Sequence, residues 1–127
     1  MTSFDPVSTF VHLGDDGGAI AMEVTPTFWQ MLATRTDLAD GVLVSTYRFK
    51  EDWSTWEHPK GDELVVQLEG AMDFVLDTPE GERVITMRGR SAAVVPRNVW
   101  HTARVLEPSV GLFVTRGAGT EHRPATR

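Results

Sequence analysis

The sequence predicts an all-β fold, a sandwich or barrel with one short helical turn near the N-terminus. Three observations carry that expectation: short runs rich in Val, Leu, Phe and Thr recur along the chain, apolar and polar residues alternate within them, and PKGD, TPEGE, PRN and EPS separate them. Strand-forming runs broken at short intervals by turn chemistry belong to antiparallel β architectures.

In order, an N-terminal arm reaches a turn at DDGG, residues 15–18, and a strand follows over Ala19–Val24. Phe28, Trp29, Met31 and Leu32 are spaced as on a helix, so 26–34 is expected to form one or two helical turns. Asp40-Gly41 opens the main β region. Strands are expected at Val42–Lys50, Ser54–His58, Glu63–Val75, Arg83–Met87, Ala92–Val95, His101–Leu106 and Val110–Thr115. Pro79 and Gly81 suit positions i+1 and i+3 of a type I turn, which makes Gly70–Asp77 and Glu82–Met87 a hairpin. The tail from residue 116 has no periodicity and is expected to run over the surface.

Length and composition bound the class. With 127 residues the chain suits one domain, 1–127, with an N-terminal arm over 1–40, a core barrel over about 41–115 and a C-terminal tail over 116–127. A chain of this size buries roughly two-thirds of its unfolded surface, enough for a core without staples. It has no cysteine, which excludes disulfides, thiolate metal sites and a cysteine nucleophile. A formal net charge of -6 without clustered Lys or Arg argues against nucleic-acid and anionic-membrane partners. The first residues carry neither a basic nor an apolar leader pattern, and no apolar run approaches membrane-spanning length, so a cytoplasmic location is expected.

The residues that suggest chemistry lie between Trp56 and His101. Side chains two apart on a strand share a face, so Trp56 and His58 are expected to point together, and Glu63, Val65 and Gln67 together on the next strand. Leu64, Val66 and Leu68 then take the opposite face, for a hydrophobic layer or a subunit interface. If Glu63 meets His58 in the interior, the buried carboxylate needs a cation or a firm hydrogen-bond partner, and His101 is a third candidate. Other signals are weak: no glycine-rich segment has a phosphate loop's strand-to-helix context and lysine, and nothing places Ser91 on a nucleophile elbow.

Trp56-Glu57-His58, Glu63 and Gly70, followed by Gly89, Pro96-Arg97-Asn98 and His101, resemble the two motifs of the cupin superfamily over about 46 of 127 residues. The resemblance implies a cupin-type jelly-roll barrel, a double-stranded β-helix, whose usual metal site is three histidines and a glutamate. Trp56 stands where the first histidine belongs, and Asn98 replaces a glycine, a substitution that asparagine's tolerance of left-handed backbone angles allows. What carries over is His58, Glu63 and His101, and two imidazoles with one carboxylate can hold iron, zinc, manganese or nickel while leaving positions open. Trp56, Gln67, Tyr47 and Trp100 are candidates for binding a small-molecule ligand. Trp56 would act as a stacking surface or, equally, as a cavity filler, and Gln67 would orient a ligand or satisfy a backbone group. His12 and His122, near the ends, are expected to be solvated.

Three functions follow. The first is a metal-dependent enzyme of oxygenase, isomerase or lyase type. The second is a non-catalytic ligand-binding or sensor barrel with or without metal, and the third an assembly protein with a filled cavity. Small cupins are commonly homodimers, and the leucine-valine face with Phe28-Trp29 supplies apolar surface for that.

Overall fold

A computed structural model of the protein describes residues 2–116 and 120–125. Two short strands, β1 (Thr9–Leu13) and β2 (Ala19–Glu23), form a hairpin around the DDGG turn, so the N-terminal arm contributes a strand of its own. His12 on β1 is buried, not solvated as expected, because its Nε2–H donates to the Asp40 carbonyl oxygen at 2.6 Å. Helix α1 (Phe28–Thr34) and a 3-10 turn (Thr36–Leu38) then cover one end of the sheet. Phe28 is the anchor of that cover, packed edge-on against Phe10 with ring centroids 5.2 Å apart.

The remaining elements are β3 (Val42–Phe49), β4 (Thr55–His58), β5 (Glu63–Thr78), β6 (Gly81–Arg88), β7 (Ser91–Val95), β8 (Trp100–Thr115) and β9 (Glu121–Pro124). Strand order runs β2-β1-β3-β8-β4-β9, with β5 pairing β6, β7 and β8, every pair antiparallel. Most elements fall where the sequence places them, including the hairpin of β5 and β6, closed by Thr78 opposite Gly81.

Besides β1, two elements differ from expectation. EPS at 107–109 does not end a strand; β8 runs through it, and the irregularity appears as register shifts against Gln67–Met72 of β5. Pro108 is tolerated there because a bulged position makes no regular ladder bond. Opposite it Gly70 has φ 80°, and a Cβ at that position would be driven into the Pro108 carbonyl oxygen. The C-terminal segment, expected to be patternless, forms β9, which pairs all four residues of β4.

On either side of these register shifts the long strands take different partners: β5 pairs β7 before them and β6 after, and β8 pairs β4 before them and β3 after. Inside lie Val65, Met72, Phe74, Leu76, Met87, Val95, Ala103 and Phe113. A second cluster, Phe10, Met22, Phe28, Leu38 and Leu43, sits under α1, and Tyr47 packs against both. Each fully buried Phe or Met side chain contributes roughly 1.5–3 kcal/mol. Alternation along β5 is as the sequence predicts: Glu63, Val65 and Gln67 are buried, while Leu64 and Leu68 are exposed.

The two turns that bear the resemblance are fastened together. Asn98 adopts φ 61°, the left-handed conformation expected of it, and its N–H donates to the Pro59 carbonyl at 2.8 Å. The neighbouring Arg97 N–H donates to Asp62 Oδ1 at 2.9 Å, and the Arg97 guanidinium pairs with the same carboxylate. These bonds hold the β4–β5 and β7–β8 turns side by side, which positions Glu63 and His101 at the starts of their strands.

Candidate functional site

Glu63, the first residue of β5, and His101, the second of β8, meet inside the barrel with Glu63 Oε1 3.3 Å from His101 Nε2. His101 is fully buried and Glu63 nearly so. The approach lies off the hydrogen-bond line, leaving Nε2 without an aligned acceptor, while Nδ1 is 3.3 Å from the Val99 carbonyl. Burial by itself lowers the proton affinity of His101. The Glu63 carboxylate, with help from the Val99 carbonyl and Glu57, outweighs burial and leaves the imidazole above its ordinary value.

His58 does not join them. In the antiparallel pairing of β4 with β8 it is Glu57 that stands opposite His101, so Glu57 shares its face and the two neighbours of Glu57 face the other way. Trp56 and His58 therefore point away from the Glu63–His101 pair, correcting the expectation that they share its interior. The His58 ring lies 4.8 Å from Trp100, and the Arg123 guanidinium is 4.5 Å from the Trp100 ring and 5.1 Å from the Trp56 ring. Asp77 completes this outer group with a 3.2 Å ion pair to Arg123.

The expected metal triad is thus divided between two faces of β4. Among the described residues no three His, Cys, Asp or Glu side chains are grouped so that they can hold one ion. The donor set does not fit a resident three-ligand metal centre, and Trp56 stands beside Arg123, away from the position of a missing ligand.

A cavity of about 600 Å³ opens beside Glu63. Tyr47, Phe49, Trp53 and Phe113 form its aromatic wall, and Glu57, Glu63 and His122 lie on its polar side. The rings pack on one another, with Tyr47–Phe49 centroids at 5.6 Å, Phe49–Trp53 at 5.7 Å and Trp53–Phe113 at 5.9 Å. Burial, with the carboxylates of Glu57 and Glu63 adding to it, pushes the Tyr47 phenol up to about 12 despite Ser45. Desolvation first, and then the nearby Glu63 charge, raises the Glu57 carboxyl above its ordinary range, while His101 and His122 oppose the shift. His122 is carried to the mouth by β9, where its Nε2 is 3.8 Å from Glu57 Oε1.

Of the four ligand-binding candidates, Tyr47 lines this cavity. Trp56 and Trp100 belong to the outer group, and Gln67, fully buried, donates from Nε2 to the Glu69 carbonyl at 2.7 Å, bracing the β5 bulge. Sequence reasoning missed Trp53, Phe49, Phe113 and Glu57 as cavity residues. Glu57 had a signal available, since a carboxylate flanked by Trp56 and His58 must face opposite to both.

No family model matches the chain, and no curated protein is a significant match. Solved structures do match. A cupin superfamily protein from Desulfitobacterium hafniense superposes with a TM-score of 0.51 at 23% identity, over 58% of this chain and 65% of the other. Hydroquinone 1,2-dioxygenase from Sphingomonas sp., with 4-hydroxybenzoate bound, gives a TM-score of 0.52 at 18% identity, over 66% of this chain and 60% of the other. An oxalate decarboxylase variant from Bacillus subtilis gives 0.52 at 17% identity, over 58% of this chain and 20% of the other. The matched region thus spans less than two-thirds of these proteins. The fold is a cupin jelly-roll barrel, as the two motifs imply.

Proposed function

We propose that this cupin binds a small organic molecule in the cavity walled by Tyr47, Phe49, Trp53 and Phe113, with Glu63, backed by His101, at its polar end. The observation that carries the reading is the placement of the buried Glu63 carboxylate, with His101 behind it, on an aromatic cavity of about 600 Å³. A cavity of that size suits a small ligand, and a few convergent polar groups on apolar walls give orientation. The Sphingomonas neighbour, a fold relative with 4-hydroxybenzoate bound, is in keeping with a small-molecule ligand.

This reading replaces the metal-dependent oxygenase, isomerase or lyase expected from His58, Glu63 and His101, because His58 faces away from the other two. The Glu63–His101 pair is able to hold a proton between Oε1 and Nε2, and Glu63, which lines the cavity, is the group through which a bound molecule would exchange it. Any divalent ion retained by untagged protein is expected to be unaffected by His58→Ala, and Trp56→His is expected not to raise metal affinity. Elemental analysis and metal titration of the three proteins check this. Stoichiometric metal lost on His58→Ala would restore the triad.

A second copy of the chain is the proposed protein partner, and the cytoplasm the proposed location. Leu64 and Leu68 on β5 and Val94 on β7, which is opposite Leu64, leave an exposed apolar strip. Trp29 adds exposed apolar surface from α1, whereas Phe28 is consumed by the core. No described helix is long and apolar enough to cross a membrane.

A further inference from the structure

We propose that the cavity selects organic cations, small amines carrying an aromatic or apolar body; the inference rests on the cavity being the ligand site. Its lining combines Glu51, Asp52, Glu57 and Glu63 with Trp29, Tyr47, Phe49, Trp53 and Phe113, and neither lysine nor arginine is among the described lining residues. Four carboxylates on one cavity set a negative potential that His122 at its mouth and His101 behind Glu63 offset only in part. Low-dielectric walls concentrate that potential on whatever enters.

The deepest carboxylate is the strongest element of the argument. Glu63 lines the cavity while only 6% exposed, and its contact with His101 at 3.3 Å is not an aligned hydrogen bond. It therefore keeps acceptor capacity on the cavity side, where an ammonium N–H would complete it. Around that point the rings of Tyr47, Phe49, Trp53 and Phe113 present faces and edges within a few ångströms of one another. Aromatic faces attract a cation and accept an apolar body equally well, so the two halves of such a ligand find complementary walls. An anionic ligand would meet four carboxylates on a lining whose described residues include neither lysine nor arginine, and a neutral one would gain the walls alone.

The test uses the full chain and three probes of one shape and different charge: phenethylamine, phenethyl alcohol and hydrocinnamate, titrated at neutral pH while the NMR signals of the indole N–H groups are followed. Phenethylamine is expected to bind about tenfold more tightly than the alcohol, with hydrocinnamate weakest. Glu63→Gln and Glu51→Gln are each expected to reduce the amine's affinity without changing the alcohol's, while Glu82→Gln, on the exposed β5–β6 hairpin, leaves both unchanged. Glu51 is exposed, so its variant keeps the test valid should Glu63→Gln fail to fold. Binding of the alcohol or hydrocinnamate as tight as that of the amine overturns the cation preference and leaves the cavity as a ligand site. Failure of all three to move any indole signal overturns both.

Discussion

Gly70 shows how one residue can be required by the backbone alone. It holds a left-handed angle of 80° beside the Pro108 carbonyl at the bulge between the two long strands. Gly70→Ala adds a left-handed penalty of about 1–2 kcal/mol to a backbone collision, so a loss of at least about 2 kcal/mol is expected in denaturant unfolding. Asn98 illustrates the opposite case, a replaced glycine whose left-handed angle survives because asparagine tolerates it. The left-handed angle of Asn98 was legible from its motif position, whereas for Gly70 the sequence offered the motif position without the bulge that requires it.

Protonation belongs to the same scale. Glu57 and His101 are both raised in the folded protein, from ordinary values of 4.5 and 6.5. The folded state then binds more protons than the unfolded one, and its stability is full below those ordinary values and is lost as pH rises through the raised ones. Stability is expected to fall as pH rises above 4.5, with a further loss above 6.5. Thermal unfolding of Glu57→Gln should lack the lower part of that decline; an unchanged profile would mean that Glu57 does not titrate in this window.

Among the elements, β5 was readable and β4 was not, and the difference is physical. On β5 a strict alternation over Glu63–Leu68 ties each side chain to its neighbours, so burying Val65 also buries Glu63 and Gln67. The facing of β4 cannot be carried across the turn at 59–62, because a turn resets which side a strand presents. Only its pairing with β8 decides the matter, by setting Glu57 opposite His101. The aromatic wall was hidden for the same reason, since Phe49, Trp53 and Phe113 come together through pairings of strands distant in sequence.

β9 was invisible because its four residues are exposed and carry no alternation. It is held by β4 and by Arg123, which lies over Trp56 and Trp100 and pairs with Asp77. Arg123→Ala removes cation–π contacts worth about 0.5–1 kcal/mol each at exposed sites. Hydrogen exchange of the β9 amides is expected to accelerate severalfold while the β5 and β8 amides stay protected, and uniform acceleration would show that the latch supports the whole barrel.

At the scale of the molecule the exposed strip on β5 and β7 leaves Leu64, Leu68 and Val94 in water. Light scattering is expected to give twice the chain mass, and Val94→Lys with Leu64→Asp to return a monomer. A monomeric parent protein would leave the strip without a partner of its own kind.

The two long strands also set how quickly this barrel can form. β5 and β6 are neighbours across Pro79-Glu80 and can zip from that turn outward. The pairing of β5 with β8, in contrast, joins Leu64 to Val114 and Asp77 to Trp100, and the register shifts between Gln67 and Met72 must be in place before both halves are in register. Closing such distant segments loses chain entropy before most of the core is gained, so folding on the millisecond-to-second scale of non-local β proteins is expected. The register shift that lets each long strand change partners part-way along is therefore also the slow step in building the barrel.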